Sequence, residues 1–163
     1  MGLVEGILFK TIVAMKRNTI VGACCALLIL LFLYASIQKL GHWKLFLHDM
    51  NNQPLPHWLA SFVIVFIPAS EILISLLLIP DKTRLVGLWA SLGLMTVFTS
   101  YTVLVLLNYF GTVFPCSCGG VIRKLNWSQH LVLNLAYVGI AITGIWALRR
   151  LRKEPTLNKT AHA

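Results

Sequence analysis

Residues Trp58 to Ile79 read WLASFVIVFIPASEILISLLLI, an apolar run interrupted only by three serines, Pro68 and Glu71. A helix needs about 20 apolar residues to cross a bilayer core. In lipid every backbone group must be satisfied internally, which leaves only helices and closed barrels. This run is continuous rather than alternating, so it predicts a helix and not a barrel strand. Three more runs of the same kind follow outward from it, Ile20 to Ile37, Leu85 to about Tyr109, and Leu131 to Leu148. The expected fold is all-α, a small integral membrane four-helix bundle. Composition agrees: of 163 residues 58% are hydrophobic and 12% charged, and mean hydropathy is +0.79. A soluble domain of this length could not bury so much apolar surface.

Lysines and arginines orient the spans. Lys10, Lys16, Arg17, Lys82, Arg84, Arg149, Arg150, Arg152, Lys153 and Lys159 fall on one side, and only Lys39, Lys44, Arg123 and Lys124 on the other. The positive-inside rule then makes both termini cytoplasmic. The net charge of +9 reflects topology and attraction to anionic membrane lipid. It implies no nucleic-acid partner, because the basic residues flank spans and form no patch with interleaved aromatics. The organisation expected is a cytoplasmic or interfacial segment over 1–19, a four-span domain over 20–148 and a basic cytoplasmic tail over 149–163. Leu3, Val4, Ile7, Leu8 and Ile12 have helical spacing and suit the inner membrane face. The first run is longer than a signal-peptide core, and Leu33-Tyr34-Ala35 is no cleavage site, so it reads as a retained span.

The outer loops carry the chemistry. His42, Trp43, Phe46, Leu47 and Met50 recur at helical steps before the breaker Asn51-Asn52-Gln53-Pro54-Leu55-Pro56. They predict a short amphipathic helix on the outer surface in the first outer loop. The third loop holds Pro115-Cys116-Ser117-Cys118-Gly119-Gly120. A disulfide across so short a loop would remove only about 1.5 kcal/mol of chain entropy, against about 3 for a 15-residue loop. It would also be strained, and strained, exposed bridges exchange readily. The Cys116 and Cys118 thiols therefore suit a bond that opens and closes in a disulfide-permissive compartment. Soft-metal ligation and a purely structural role are the other readings. Cys24 and Cys25, adjacent on one helix, point apart and read as small buried apolar residues.

Trp127, His130, Asn134 and Tyr137 form one stripe at the outer end of the fourth span. A cationic His130 and the positive helix end would favour thiolate at Cys116 or Cys118. The alternative is an interfacial Trp127 with His130 and Asn134 as hydrogen-bonding glue between helices. Asn126 or Ser128 is expected to cap this helix, with no glutamate three residues on to complete a capping box. Glu71 is the one acidic residue deep in a span, where insertion costs roughly 2.5–3.5 kcal/mol for a charge. It reads as a protonated hydrogen-bond donor with Ser75, Thr96 and Thr143 as neighbours, either in a proton relay or as a polar clasp beside Pro68. Lys39 reads as a cation snorkelling to the outer surface, with stabilisation of a thiolate as the other reading.

Ser36-Ile37-Gln38-Lys39-Leu40, then Pro68-Ala69-Ser70-Glu71, then Cys116-Ser117-Cys118-Gly119-Gly120 with Asn126-Trp127 and His130 to Asn134 occur in that order. In this order they resemble the MauE branch of the DoxX-like membrane proteins over roughly residues 20–148. The resemblance implies a four-helix bundle related in general form to vitamin K epoxide reductase and DsbB-type proteins. It also implies a role in extracytoplasmic disulfide formation or maturation of partner proteins; MauE itself is associated with a disulfide-rich methylamine dehydrogenase subunit. Carried over, Cys116 and Cys118 are the redox pair and Lys39, Glu71 and Asn134 the supporting polar positions. Two departures stand out. The family pattern has Cys-Gly-Cys-Phe-Gly and an Arg-Asn pair on the last helix, where this chain has Cys-Ser-Cys-Gly-Gly and Leu133-Asn134. His130, one turn away, could replace the arginine.

The expectation is a thiol-disulfide redox protein, an oxidoreductase in type, in a bacterial inner (plasma) membrane. Cys116, Cys118 and His130 are its catalytic candidates, and Lys39, Glu71, Asn134 and Trp127 its supporting polar residues. Its partner would be a thioredoxin-like or secreted protein on the outer side, and the cofactor admitted is a membrane quinone. A scaffold subunit whose outer loops bind another protein is the non-enzymatic alternative. A soft-metal carrier using Cys116, Cys118 and His130 is a third, which the lack of histidine or methionine ladders through the spans argues against. No metal site is expected.

Overall fold

The computed structural model describes residues 2–53, 56–109 and 126–153, with side chains from residue 13 onward except that of residue 14. Among the described residues every regular element is a helix: α1 (Gly2–Gly41), α2 (Trp43–Asn51), α3 (His57–Leu78), α4 (Arg84–Leu106) and α5 (Trp127–Lys153). Four of them contain stretches long and apolar enough to cross a membrane, Met15–Gly41, His57–Leu78, Arg84–Leu106 and Trp127–Lys153. The four-span all-α bundle read from hydropathy is the fold. α1 is continuous from Gly2, so the N-terminal stretch extends the first span without a break.

The helices alternate in direction and form a ring. α1 packs on α3, α3 on α4, α4 on α5, and α5 closes back onto α1, with little contact across the α1–α4 diagonal. The apolar pattern dictates which faces turn inward. Val21, Cys25, Leu28 and Phe32 recur at three- and four-residue steps on α1 and are buried, making one stripe along a 3.6-residue helix. They meet Ile74 and Leu78 of α3, Leu88 and Met95 of α4, and Ala141, Ile145 and Leu148 of α5. Leu30, Ile37, Phe62, Val65, Leu76, Val97, Val132 and Trp146 point outward and are more than half exposed. In a solvent of lipid tails those outward residues lose nothing, so packing of small residues and polar contacts must select the helix faces.

The inner end is tight for that reason. A Cβ on Gly87 would lie 3.0 Å from the backbone C of Leu77 and N of Leu78, and one on Gly144 would lie 3.0 Å from Leu88 Cδ2 and 3.3 Å from Cys24 Cβ. Cys24 and Cys25 are both buried free thiols in this packing. Arg84 holds the turn from α3 to α4: it pairs with Asp81 at 2.5 Å and donates to the Leu78 and Ile79 carbonyls. Thr83 Oγ1 donates to the Leu77 carbonyl at 2.8 Å. These bonds satisfy carbonyls that the end of α3 leaves without helical partners. Arg152 of α5 donates to the Asp81 carbonyl at 3.2 Å, which puts the basic end of α5 beside this turn.

α2 is the amphipathic helix expected before the Asn-Pro breaker, but it is docked rather than merely resting on a surface. Phe46, Asp49 and Met50 are buried, and Phe46 and Met50 pack with Ala60 and Ile64 of α3. α2 thus covers the first turns of α3, while α1 has already ended.

Gly87 and Gly144 are close-approach positions inside the bundle, whereas Gly93 and Gly139 have nothing within 4 Å of where a Cβ would sit. Overpacking costs about 1–3 kcal/mol, against a helix-propensity gain of up to about 1 kcal/mol for Gly to Ala. Gly87→Ala should therefore lower the thermal midpoint of the detergent-purified protein. Gly93→Ala and Gly139→Ala should hold or raise it in the same melt.

Candidate functional site: a buried ion pair beneath an outer cavity

Above its core stripe α1 turns polar on the same face, at Ser36 and Lys39, both buried. Glu71 faces them from α3, 1% exposed. Lys39 Nζ lies 2.5 Å from Glu71 Oε1, and Ser36 Oγ donates to Glu71 Oε2 at 3.0 Å. Both carboxylate oxygens therefore accept hydrogen bonds from α1. Direction explains how the two residues meet. Side chains on a helix lean toward its N-terminus, and α1 and α3 run oppositely, so Lys39 leans inward and Glu71 outward. Ser75 Oγ bonds only the Glu71 backbone carbonyl, at 2.8 Å.

This arrangement corrects two expectations. Lys39 does not snorkel to the surface. Glu71 finds its side-chain partners on α1, where Lys39 Nζ and Ser36 Oγ lie against its two carboxyl oxygens. Thr96 and Thr143 are not its neighbours, for each is exposed and returns its hydroxyl to a carbonyl of its own helix, Leu92 and Gly139. Depth counted along the sequence misleads here. Lys39 lies in the last turn of α1, whereas Glu71 lies about four turns into α3, and α2 fills the difference in height.

Outward of the pair is a cavity of about 400 Å³ bounded by all five helices. Phe32, Phe46, Met95 and Phe98 make its walls apolar, and Lys39 and Glu71 also border it. Its polar atoms cluster toward the outer ends of α4 and α5. Tyr101 Oη donates to Gln53 Oε1, and Gln53 Nε2 donates to the Asp49 carbonyl at 3.2 Å. Asn134 Nδ2 donates to Thr102 Oγ1 at 3.3 Å, and that hydroxyl donates to the Phe98 carbonyl at 2.8 Å. Trp127 lies edge-on to Tyr101 and beside His130, with ring centroids 6.4 and 6.0 Å apart. His130 is 3% exposed, and its Nε2 is buried without a hydrogen-bond partner among the described residues. Leaving a buried polar atom unpaired costs about 1–3 kcal/mol.

Lys39, Glu71, Trp127, His130 and Asn134, chosen from sequence, all border this one cavity. Cys116 and Cys118 lie outside the described residues. The start of α5 differs from expectation in one detail. Ser128 is inside the helix, and Gln129 Oε1 accepts from the Asn126 backbone N–H at 2.9 Å. That is half of a capping box, made by glutamine where only glutamate was sought. Tyr101, Thr102 and Gln53 escaped sequence reading. Tyr101 and Thr102 are hidden in an apolar run, and Gln53 sits in a segment that reads as a breaker. A hydroxyl-bearing pair within a span was the signal available.

A family model described as methylamine utilisation protein MauE matches residues 17–147. The chain belongs to the MauE family. No curated protein and no solved structure matches it. The matched stretch contains Lys39, Glu71 and Asn134, and the structure places all three on the wall of one cavity. This MauE-family chain is thus a multi-pass membrane protein whose Lys39 and Glu71 are held in apolar surroundings.

Removing one partner of a buried ion pair costs about 3–5 kcal/mol, because the other charge is left uncompensated, whereas replacing both by apolar groups is often neutral. Lys39→Met and Glu71→Leu should each lower the unfolding free energy by about 3 kcal/mol. The double variant should recover more than half of that loss in denaturant titrations of the purified protein.

Proposed function

We propose that this MauE-family protein is a thiol-disulfide redox protein of a bacterial inner membrane, supporting disulfide formation or maturation of an extracytoplasmic partner through Cys116 and Cys118. The observation that carries the reading is the convergence at the outer end of α4 and α5. The residues joining these two helices contain the Cys-Ser-Cys segment, and the helix turns on either side of it contribute Tyr101, Thr102, Trp127 and His130 to the polar rim of the cavity. Asn134 Nδ2 donates to Thr102 Oγ1 and joins α5 to α4, so the two helices that flank the cysteines are tied to each other at that rim.

The exchange is balanced between two proteins. A thiolate on one attacks the disulfide on the other and forms a mixed disulfide, and the second thiolate of the attacking protein then displaces the bound sulfur. One dithiol loses two electrons and two protons to become a disulfide while the opposite disulfide gains them. The partner is a thioredoxin-like or secreted protein presenting a dithiol or disulfide on the outer side. Methylamine utilisation, the description carried by the family, is the process in which such a partner would be sought.

Trapping tests this directly. With one cysteine replaced, as in Cys116→Ser or Cys118→Ser, the second displacement is blocked, and a partner should appear covalently attached on non-reducing gels and be identifiable by mass spectrometry. The adduct should vanish on reduction and in the Cys116→Ser/Cys118→Ser double variant. Full biological function of the double variant would replace this reading with that of a non-enzymatic assembly subunit.

A further inference from the structure

We infer that the inner end of the bundle carries a binding site for a phospholipid of net negative headgroup charge, its phosphate held by Arg149 and Arg150 and an acyl chain laid in the groove between α4 and α5. One face of α5 sets this up. Ile142, Ile145, Trp146, Arg149, Arg150 and Lys153 recur at helical spacing, so they form a stripe that turns from apolar through aromatic to cationic toward the end of the helix. Trp89 and Leu92, about one turn apart on α4, supply the facing wall. Together they line a groove of about 480 Å³. Behind it the two helices approach closely at Gly144, where a Cβ would lie 3.0 Å from Leu88 Cδ2. Trp89, Ile142 and Trp146 are each about half exposed, so the groove opens on the lipid-facing outside of the bundle.

The charges at its mouth are the deciding observation. Among the described residues the ion pairs are Lys39 with Glu71 and Arg84 with Asp81, and Arg152 donates to the Asp81 carbonyl. Arg149, Arg150 and Lys153 have no such partner there. Instead Arg149 lies over the Trp89 ring at 5.1 Å and Arg150 over the Trp146 ring at 5.6 Å. A contact with a ring face engages the charge of a guanidinium and uses none of its N–H donors. Both guanidiniums are therefore held in place with their donors free, which suits the charge-assisted, bidentate bonds that arginine makes to phosphate. Basic recesses between spanning helices are where anionic headgroups bind.

The rest of the lining selects a lipid over a soluble anion. Leu92, Ile142 and Ile145 continue the groove away from the cations and toward the hydrocarbon, where a free phosphate has nothing to bind and an acyl chain fills the space. Tryptophans beside the headgroup suit that level of the membrane. The sign of the headgroup follows from the same residues. A choline headgroup brings its own cation against Arg149, Arg150 and Lys153, whereas a glycerol headgroup leaves the phosphate charge uncompensated and attracted to all three. Snorkelling accounts for cations that reach water, but not for two guanidiniums clamped on rings at the head of an apolar groove.

The inference is independent of the thiol chemistry, and its test needs no redox assay. The full chain, purified in a neutral detergent, is titrated with dioctanoyl phosphatidylglycerol and read by native mass spectrometry and by thermal shift. One lipid retained per chain and a saturable rise in the melting midpoint are expected. Dioctanoyl phosphatidylcholine should bind at least tenfold more weakly, and inorganic phosphate at the same concentration should neither shift the midpoint nor displace the lipid. Arg149→Gln/Arg150→Gln should weaken phosphatidylglycerol at least tenfold. Arg149→Lys/Arg150→Lys keeps the charge that orients the chain but loses the planar fork, so it should still weaken the lipid at least threefold. Lys16→Gln/Lys82→Gln removes two exposed cations at the same end but outside the groove, and should bind within about twofold of the parent, on the reasoning that charges in water are screened. The site is overturned by the absence of saturation, by equal binding of phosphatidylcholine, by displacement with inorganic phosphate, by unchanged affinity in either arginine variant, or by an equal loss in Lys16→Gln/Lys82→Gln.

Discussion

Two charges inside an apolar bundle can be tolerated only together, and this constraint organises the outer half of the molecule. Glu71 alone, or Lys39 alone, would be expelled toward a surface or neutralised. Meeting at 2.5 Å with Ser36 on the second carboxylate oxygen, they set the height of α1 against α3. Once that height is set, α1 ends while α3 still has about four turns to run, and α2 must cover the uncovered face of α3. Phe46 and Met50 do so against Ala60 and Ile64. The cavity is the space this staggered arrangement leaves under α2 and between the outer turns of α4 and α5.

The two ends of the bundle are built on different physics. At the inner end small residues bring backbones together, as at Gly87 and Gly144, and arginines bind carbonyls and aromatic faces. Arg149 lies over the Trp89 ring at 5.1 Å and Arg150 over Trp146 at 5.6 Å, contacts that suit a charged and aromatic boundary between water and hydrocarbon. At the outer end aromatic and polar groups replace close packing. The close-packed end and the end that holds the cavity lie at opposite ends of the bundle, and the ion pair stands at the boundary between them.

The buried polar groups of the outer half also differ in kind. Those of Gln53, Thr102 and Asn134 bond to one another's helices and tie α2 to α4 and α4 to α5 through Tyr101 and Thr102. Such bonds between helices average well under 1 kcal/mol in membranes, so their value is in specifying which faces meet. His130 Nε2 stands apart from that network among the described residues.

Hydropathy alone identified the spans, because transfer into lipid is a local property summed residue by residue, and periodicity alone put His130 and Asn134 on one face. Local reading also found α2, set by the helical spacing of residues such as Phe46 and Met50 and by the breaker that follows them. It misassigned Lys39 because snorkelling is judged from distance to a helix end, whereas the partner that overrides it lies 32 positions away on another helix. It misassigned the neighbours of Glu71 for the same reason, and it could not have found that Tyr101 and Gln53 meet, since nothing in either neighbourhood announces the other. What the chain determined unaided is the number, length and polarity of its helices, each the outcome of short-range forces. Which helix ends stand level, which charges neutralise each other and where space is left unfilled were decided only by the bundle, because those are properties of pairs of helices and depend on their relative height and rotation.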